Sequence, residues 1–265
     1  MNKKRWFRGA LGGLLVSVSL LGASAHAGVD DVAKRIKASA VSNVLGNWTI
    51  RETLVRGWYS LHHPSGQYEP YIIDEKATML RTNEGWQPLG SNGLSKPLDA
   101  AGEQRLRAAF VPAMRVENAI AYRFGNGTKK VALITAHDCP VCKMLEREIT
   151  SAANTLDATV YVFPMSLNYR NAASMETATR LWCRPDAAAT WRSVMSGGVS
   201  PKMVPAAEPL KGGCGFRNAS ATRTLARMTG AVGTPALLFE DGSLRMGAMS
   251  AGELRNVFGK VRGAP

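Results

Sequence analysis

Two of the four cysteines stand three positions apart, in Cys139-Pro140-Val141-Cys142, where the apolar run Val131-Ala132-Leu133-Ile134 gives way to residues of helical spacing. The run reads as a buried strand. Leu145, Ile149, Ala152 and Leu156, recurring at three or four, read as the apolar face of a helix that begins at the cysteines. A second buried strand follows, Thr159-Val160-Tyr161-Val162-Phe163, which Pro164 is expected to end. Strand, helix, strand in that order implies a crossover connection and a parallel pair, so this half of the chain is expected to be an α/β sheet.

The cysteines then lie at a helix amino terminus, where free N–H groups and the helix dipole favour an anion. The thiolate is the nucleophilic form of cysteine, so Cys139, at the first position, is the candidate nucleophile. A shift from ~8.5 into the ~3.5–7 range of CxxC pairs amounts to roughly 2–7 kcal/mol. The dipole supplies only ~0.3–2 kcal/mol, so hydrogen bonds must add the rest. Pro140 suits the first turn because it lacks an N–H, and Cys142, one turn on, is expected to be the more sheltered, resolving sulfur. An inert short disulfide is the competing reading. His137, as a nearby cation, and Asp138, by opposing ionisation, are candidates for tuning the thiolate, or else a solvated loop pair.

Lys3, Lys4, Arg5 and Arg8, the apolar run Ala10 to Leu21 and Ala25-His26-Ala27 read as a secretory leader over residues 1–27. The run is shorter than the ~20 residues of a spanning helix, and no cysteine precedes Cys139 to carry a lipid. An exported chain meets an oxidising compartment, where thiols pair. The spacing favours a local pair at Cys139 and Cys142, leaving Cys183 with Cys214. A four-cysteine zinc site usually needs two close pairs, so no metal is expected. The formal charge of +13 is scattered along the chain rather than gathered in a stripe, which argues for solvated helix faces and against a nucleic-acid partner.

Elsewhere, Val29–Lys37 reads as a short helix and Trp48 to Leu89 as a small antiparallel sheet, too small to be robust alone and hence expected to pair with a second copy. Residues 91–98 read as a linker. Asp99 to Phe110 reads as a connecting helix that Pro112 should stop or kink. Ile120, Tyr122 and Phe124 alternate as a strand. A helical region from about Ala172 to Met195, broken at Arg184-Pro185, leads through a loop to Cys214. Helix Ser220–Met228, strand Ala236–Phe239, strand Leu244–Met246 and helix Ala251–Val261 complete the chain. Trp48, Trp58 and Trp86 line an apolar cleft or pack in a core. Gly233-Thr234-Pro235, just before a strand, reads as an ordinary strand start or a cis peptide.

Cys139-Pro140-Val141-Cys142 after a strand, Gly233-Thr234-Pro235 before a later one, and a leader followed by a small sheet domain resemble the bacterial periplasmic disulfide isomerase family of the DsbC/DsbG type. The likeness is strongest in 131–147, in Leu181-Trp182-Cys183 followed by Ser193-Val194-Met195-Ser196-Gly197, and in 230–247, and weak in 28–95. It implies an α+β, cystatin-like dimerisation domain over 28–93, a linker helix over 94–118, and an α/β thioredoxin-like catalytic domain with an inserted helical subdomain over 119–265. It further implies a V-shaped homodimer whose cleft holds clients, a cis Thr234-Pro235 facing Cys139 with the Thr234 backbone offered to a client strand, and a structural Cys183–Cys214 disulfide, as in DsbC. The implied activity is isomerisation or reduction of incorrect disulfides in misoxidised or unfolded exported proteins. It needs no cofactor, takes place in the periplasm and draws electrons from a membrane donor of the DsbD type. Pro140 and Val141 depart from the Gly-Tyr dipeptide usual in DsbC, and the proline is shared with DsbG. A DsbA-like thiol oxidase, suggested by Cys-Pro-x-Cys, and a thiol-independent chaperone are the alternatives.

Overall fold

The computed structural model describes residues 26–205, 210 and 213–259; all but the last two residues of the expected leader lie outside them. The described chain opens with helices α1 (Val29–Lys37) and α2 (Ser42–Leu45). A six-stranded antiparallel sheet follows in simple chain order: β1 (Thr49–Glu52), β2 (Trp58–His62), β3 (Tyr71–Asp74), β4 (Met79–Thr82), β5 (Gly85–Gly90) and β6 (Gly93–Leu94). β6 falls inside the segment read as linker. Gly93, at φ +107°, closes a tight hairpin that pairs Gly90 with Gly93, a backbone angle that glycine adopts without steric penalty.

Side chains alternate across a strand, and in β3 both Ile72 and Ile73 are wholly buried, so the sheet is covered on both faces. Ile73, Tyr59, Leu61 and Leu80 pack with Val32 and Ile36 of α1 in a small core. Ile72 and Trp86 belong instead to the large core that runs through the carboxyl-terminal half. Of the tryptophans singled out, Trp48 packs against the small core and Trp58 against the large one. Trp86 is buried, its ring centroid 5.1 Å from that of Trp58 and 5.7 Å from that of Phe110, and its Nε1 donates to the Met228 carbonyl at 3.0 Å.

The connecting helix α3 (Ala100–Ala113) starts at Asp99, whose carboxylate accepts from Gly102 N–H at 2.7 Å. It continues past Phe110 and contains Pro112 in its last turn, where the ring forgoes one N–H bond, to the Ala108 carbonyl, and only Ala113 follows before the helix ends. The Ala113 carbonyl is taken by Arg56 N–H at 2.9 Å.

The carboxyl-terminal sheet has five strands: β7 (Ile120–Phe124), β8 (Lys129–Ala136), β9 (Ala158–Met165), β10 (Ala236–Phe239) and β11 (Leu244–Met246), in the order β11-β10-β8-β9-β7. β8 and β9 are parallel and the other pairs antiparallel. Pro164 does not end β9. The β7 partner runs out at Val162, so Pro164 stands where one side of the ladder is already absent. Helix α4 (Pro140–Ala152) stops short of Leu156, which stays fully buried behind a 3₁₀ turn over Ala153–Thr155. Helices α5 (Ala172–Trp182) and α6 (Ala187–Ser196) form the helical insertion before α7 (Ala219–Thr229). A disulfide joins Cys183, which caps α5, to Cys214 ahead of α7, with Cα atoms 5.3 Å apart. The last helix, α8 (Ala251–Phe258), ends before Gly259 rather than at Val261; residues 260–265 lie outside the described chain. No described helix is long and apolar enough to cross a membrane.

Candidate functional site

Strand β8 delivers the chain to the cysteines. Its antiparallel pairing with β10 sets Ala236 opposite Ile134, which brings Thr234, two residues before β10, level with Ala136. Gly230, at φ +77°, caps α7 in the left-handed conformation and turns the chain toward this loop, in which Thr234-Pro235 is cis. Two segments about a hundred positions apart thus meet at Cys139.

Cys139 is the N-cap of α4. Its extended backbone (φ −97°, ψ 115°) lets its own side chain reach the helix amides, and Cys142 N–H donates to Cys139 Sγ at 3.2 Å. On the other side, the Cys139 thiol lies 3.4 Å from the Thr234 carbonyl oxygen. Pro140 occupies the first turn and is exposed, as is Val141. Cys139 and Cys142 are not bonded to each other. The expected contrast in shelter does not extend to the whole residues, since both are buried. It lies in the surroundings of the sulfurs: burial first, and then the neighbouring Cys139, push the Cys142 thiol well above the ordinary thiol range, against weaker opposing contacts from Thr135 and Thr234.

The surroundings of His137 disfavour its charged form. The residue is buried, its Nδ1 lies 3.4 Å from the Met165 carbonyl oxygen, and burial drives its pKa below the usual imidazole value in spite of Asp138. Asp138 is engaged by the turn that follows β9. Burial pushes its carboxyl up, but Ser166 Oγ at 2.7 Å and the N–H groups of Leu167 at 2.8 Å and Asn168 at 3.4 Å more than offset that, leaving it below the ordinary carboxylate range. Its charge anchors the turn after β9.

That turn presents Leu167 and Tyr169 to solvent. With Val141 and Met144 on the first turns of α4, and Val232, 96% exposed, just before Thr234, it leaves apolar side chains standing around the cysteines. Such a collection of exposed apolar groups is what a surface that takes up another chain requires.

One buried group escaped the sequence reading. Glu146, four positions after Cys142 and hence on the same face of α4, is only 4% exposed. Burial raises its pKa, with Tyr122 and Arg192 pulling it back. The signal was present in Cys142, Glu146 and Ile149, spaced at four and three along an apolar face. The Cys183–Cys214 disulfide belongs to the helical insertion and contributes no group to the CxxC. Among the described residues no His, Cys, Asp or Glu side chains cluster so as to hold a metal ion.

Two unbonded cysteines so placed, one at a helix N-cap against a backbone carbonyl and the other behind it, can carry out thiol–disulfide exchange, the chemistry of a thiol–disulfide oxidoreductase. Among solved structures, the chain is similar to a disulfide interchange protein from Neisseria gonorrhoeae (31% identity, 55% of this chain and 96% of that one, TM-score 0.45). It is also similar to a periplasmic thioredoxin-like protein from Salmonella enterica serovar Typhimurium (19% identity, 62% and 97%, TM-score 0.45) and to the catalytic domain of Proteus mirabilis ScsC (18% identity, 53% and 88%, TM-score 0.36). No curated protein matches the chain. Residues 116–262, from just before β7 to beyond α8 and enclosing both the CxxC and Thr234-Pro235, match the family described as thioredoxin-like domain, and the chain belongs to that family.

Proposed function

We propose that this protein is an exported, periplasmic thiol:disulfide interchange protein of the DsbC/DsbG type, which isomerises or reduces incorrect disulfides in other exported proteins. The observation that carries the proposal is the Cys139 sulfur held between Cys142 N–H and the Thr234 carbonyl oxygen. Once Cys139 ionises, its thiol no longer donates to Thr234. That carbonyl is then free to accept an N–H from an extended client segment, which adds to the site as a strand would.

The exchange balances as follows. Cys139 thiolate attacks one sulfur of a client disulfide, forms a mixed disulfide and expels the other client sulfur as thiolate. In isomerisation that or another client thiolate attacks the mixed bond, a new client disulfide forms, and Cys139 leaves as thiolate with no net change of oxidation state. In reduction Cys142, once deprotonated, attacks Cys139 Sγ, the client leaves with both thiols, and Cys139–Cys142 closes as a disulfide that a DsbD-type membrane donor must reduce with two electrons. The high pKa of Cys142 delays that second route and gives the client time to rearrange.

The amino-terminal sheet supplies a surface for a second copy. Val44, 65% exposed, and Leu94, 40% exposed, flank a groove of about 370 Å³ that Leu45, Tyr71 and Leu80 line on an apolar side and Thr82, Asn83, Glu84 and Gln87 on a polar one, a mixed surface that suits the expected homodimer. The domain limits 28–93, 94–118 and 119–265 belong to the same proposal. Refolding of a scrambled multi-disulfide substrate tests it: acceleration that depends on Cys139 supports isomerase activity, and a rate equal to the uncatalysed one defeats it. The competing oxidase reading rests on Pro140 and Val141 between the cysteines. Mass in solution and the reduction potential of the pair separate the two, since a monomer with a strongly oxidising couple is an oxidase.

A further inference from the structure

The amino-terminal sheet reaches the thiol site through its β2–β3 connection, residues 63–70. Two grooves, of about 430 Å³ and about 800 Å³, run on from each other here. The first begins at Gly230–Thr234, the loop that faces Cys139, with Met165 and Leu167 beside it. The second continues along the outer side of the 66–70 segment. Glu69, Arg223 and Arg227 line both and stand at the join.

Basic residues that look scattered in the sequence converge on this path. Arg51, Arg81, Arg170, Arg223 and Arg227 line it, against the carboxylates of Glu52 and Glu69. Glu52 is already engaged by Arg115 and Glu69 pairs with Arg223. Arg227 is bound only to neutral oxygens, those of Pro70 at 2.8 Å, Asn83 at 2.8 Å and Thr82 at 3.3 Å. Arg81 has Nε and Nη1 buried without a hydrogen-bond partner, its nearest carboxylate being Glu103 at 3.7 Å. Among the described residues, neither Arg51, Arg170 nor Arg227 has a carboxylate partner. Burial works against the charges of Arg81 and Arg227, and a guanidinium does not deprotonate to escape it. Partly desolvated guanidinium groups of this kind are completed by carboxylates, which they hold with two parallel hydrogen bonds.

We propose that this groove binds an extended acidic stretch of the client chain flanking its reacting cysteine, and that Glu69 occupies Arg223 until a client carboxylate replaces it. The proposal rests on the thiol–disulfide reading above and gives it a substrate class. The client main chain pairs at Thr234, and its carboxylates a few residues away meet Arg227, Arg223 and Arg170. An apolar rim at Val141, Met144 and Val232 with an arginine path beside it thus selects cysteines set in acidic sequence.

The test uses the full mature chain and two cysteine-containing peptides of equal length, with either glutamates or glutamines flanking the cysteine. Binding is measured by fluorescence anisotropy on the Cys139→Ser, Cys142→Ser protein, so that no covalent step contributes. The glutamate peptide is expected to bind roughly five- to tenfold tighter at low salt. That advantage should vanish at high salt and in Arg223→Gln, Arg227→Gln, and grow in Glu69→Gln, a change in the opposite direction that damage to the fold does not produce. Removing the same charge on exposed Lys37 and Lys76 (Lys37→Gln, Lys76→Gln) should leave it intact. Equal binding of the two peptides, or a preference that survives loss of both arginines, overturns the proposal. So does a fall in solution mass in the arginine variant, which would assign those side chains to self-association. If the wild-type protein exchanges with neither peptide when its cysteine is supplied as a mixed disulfide with glutathione, while the acidic preference holds, the redox reading fails and the groove stands.

Discussion

Cys142 holds the Cys139 sulfur by its backbone N–H, at 3.2 Å, while its own side chain is buried beneath. The two cysteines therefore act on each other through different atoms. The hydrogen bond survives any substitution at 142 that keeps the N–H, whereas the second sulfur can be removed alone. In Cys142→Ala the protein is expected to capture clients as stable mixed disulfides on Cys139, visible as thiol-sensitive adducts on non-reducing gels. In Cys139→Ala the remaining thiol is expected to react with iodoacetamide with a midpoint above the ~8.5 of free cysteine, because burial is the larger cause of its shift. A midpoint at or below that value removes the basis for delayed resolution.

His137 gives a pH dependence of known sign. Burial depresses its folded pKa below the ordinary imidazole value of about 6.5, so the unfolded chain binds the proton first. Its contribution is complete above about pH 6.5 and is lost as pH falls through that value toward the folded pKa. His62, also depressed by burial, acts in the same direction. Urea unfolding at pH 7.5 and 5.5 should show a loss of stability on acidification that is smaller in His137→Gln than in the wild type. An equal loss in both proteins rejects a neutral, buried His137.

Trp86 ties the amino-terminal sheet to α7 through Met228 and through the cluster with Trp58 and Phe110. Trp86→Ala is expected to destabilise by about 3–5 kcal/mol, the usual range for emptying a large aromatic from a core. Since the core is shared, the wild-type protein should unfold in one transition, and the variant should lower that transition as a whole. Two separate transitions, with only the sheet affected by the substitution, are the outcome against it.

The Cys183–Cys214 bond closes a loop across the helical insertion. Replacing both cysteines by alanine is expected to cost about 3–4 kcal/mol in the chain-entropy account, with exchange at Cys139 retained under conditions where the variant is folded. Loss of exchange by a variant whose circular dichroism is native would place this disulfide in the reaction itself.

The parts that deliver the cysteines were legible because each rests on local periodicity. Val131 to Ile134 and Thr159 to Phe163 are continuous apolar runs, and Leu145, Ile149 and Ala152 repeat at helical spacing, so the parallel pair and α4 follow from the residues themselves. Ends were less legible, because they depend on neighbours. Pro164 stays in β9 because β7 stops short of it, and Pro112 stays in α3 because it falls in the last turn. His137 lies in the turn after β8 and is nonetheless buried, because that strand carries the chain into the interior, which its polarity alone does not show. Contacts such as Trp86 with Met228, and the gathering of Arg51, Arg170 and Arg227, join positions far apart in the chain, and no spacing in the sequence encodes them.

Glu146 is a charged residue on a face of α4 that is otherwise apolar. Its carboxyl is buried beside Tyr122 and Arg192, and burial raises its folded pKa above the ordinary carboxylate value of about 4.5. The folded chain therefore binds the proton more tightly than the unfolded one. That contribution is complete below about pH 4.5 and is lost as pH rises through the folded value, opposite in sign to His137. Glu146→Gln keeps the shape and removes the charge. It should reduce the loss of stability between pH 4.5 and neutrality, and comparing urea midpoints of variant and wild type across that range checks it. Because Glu146 stands one helical turn below Cys142, removing its charge should also make the Cys142 thiolate easier to form, moving the iodoacetamide midpoint of Cys142 in the Cys139→Ala background to lower pH. A midpoint that stays in place while the stability profile flattens would confine Glu146 to the core; a stability profile that does not change would mean that its carboxyl is not buried as the structure has it.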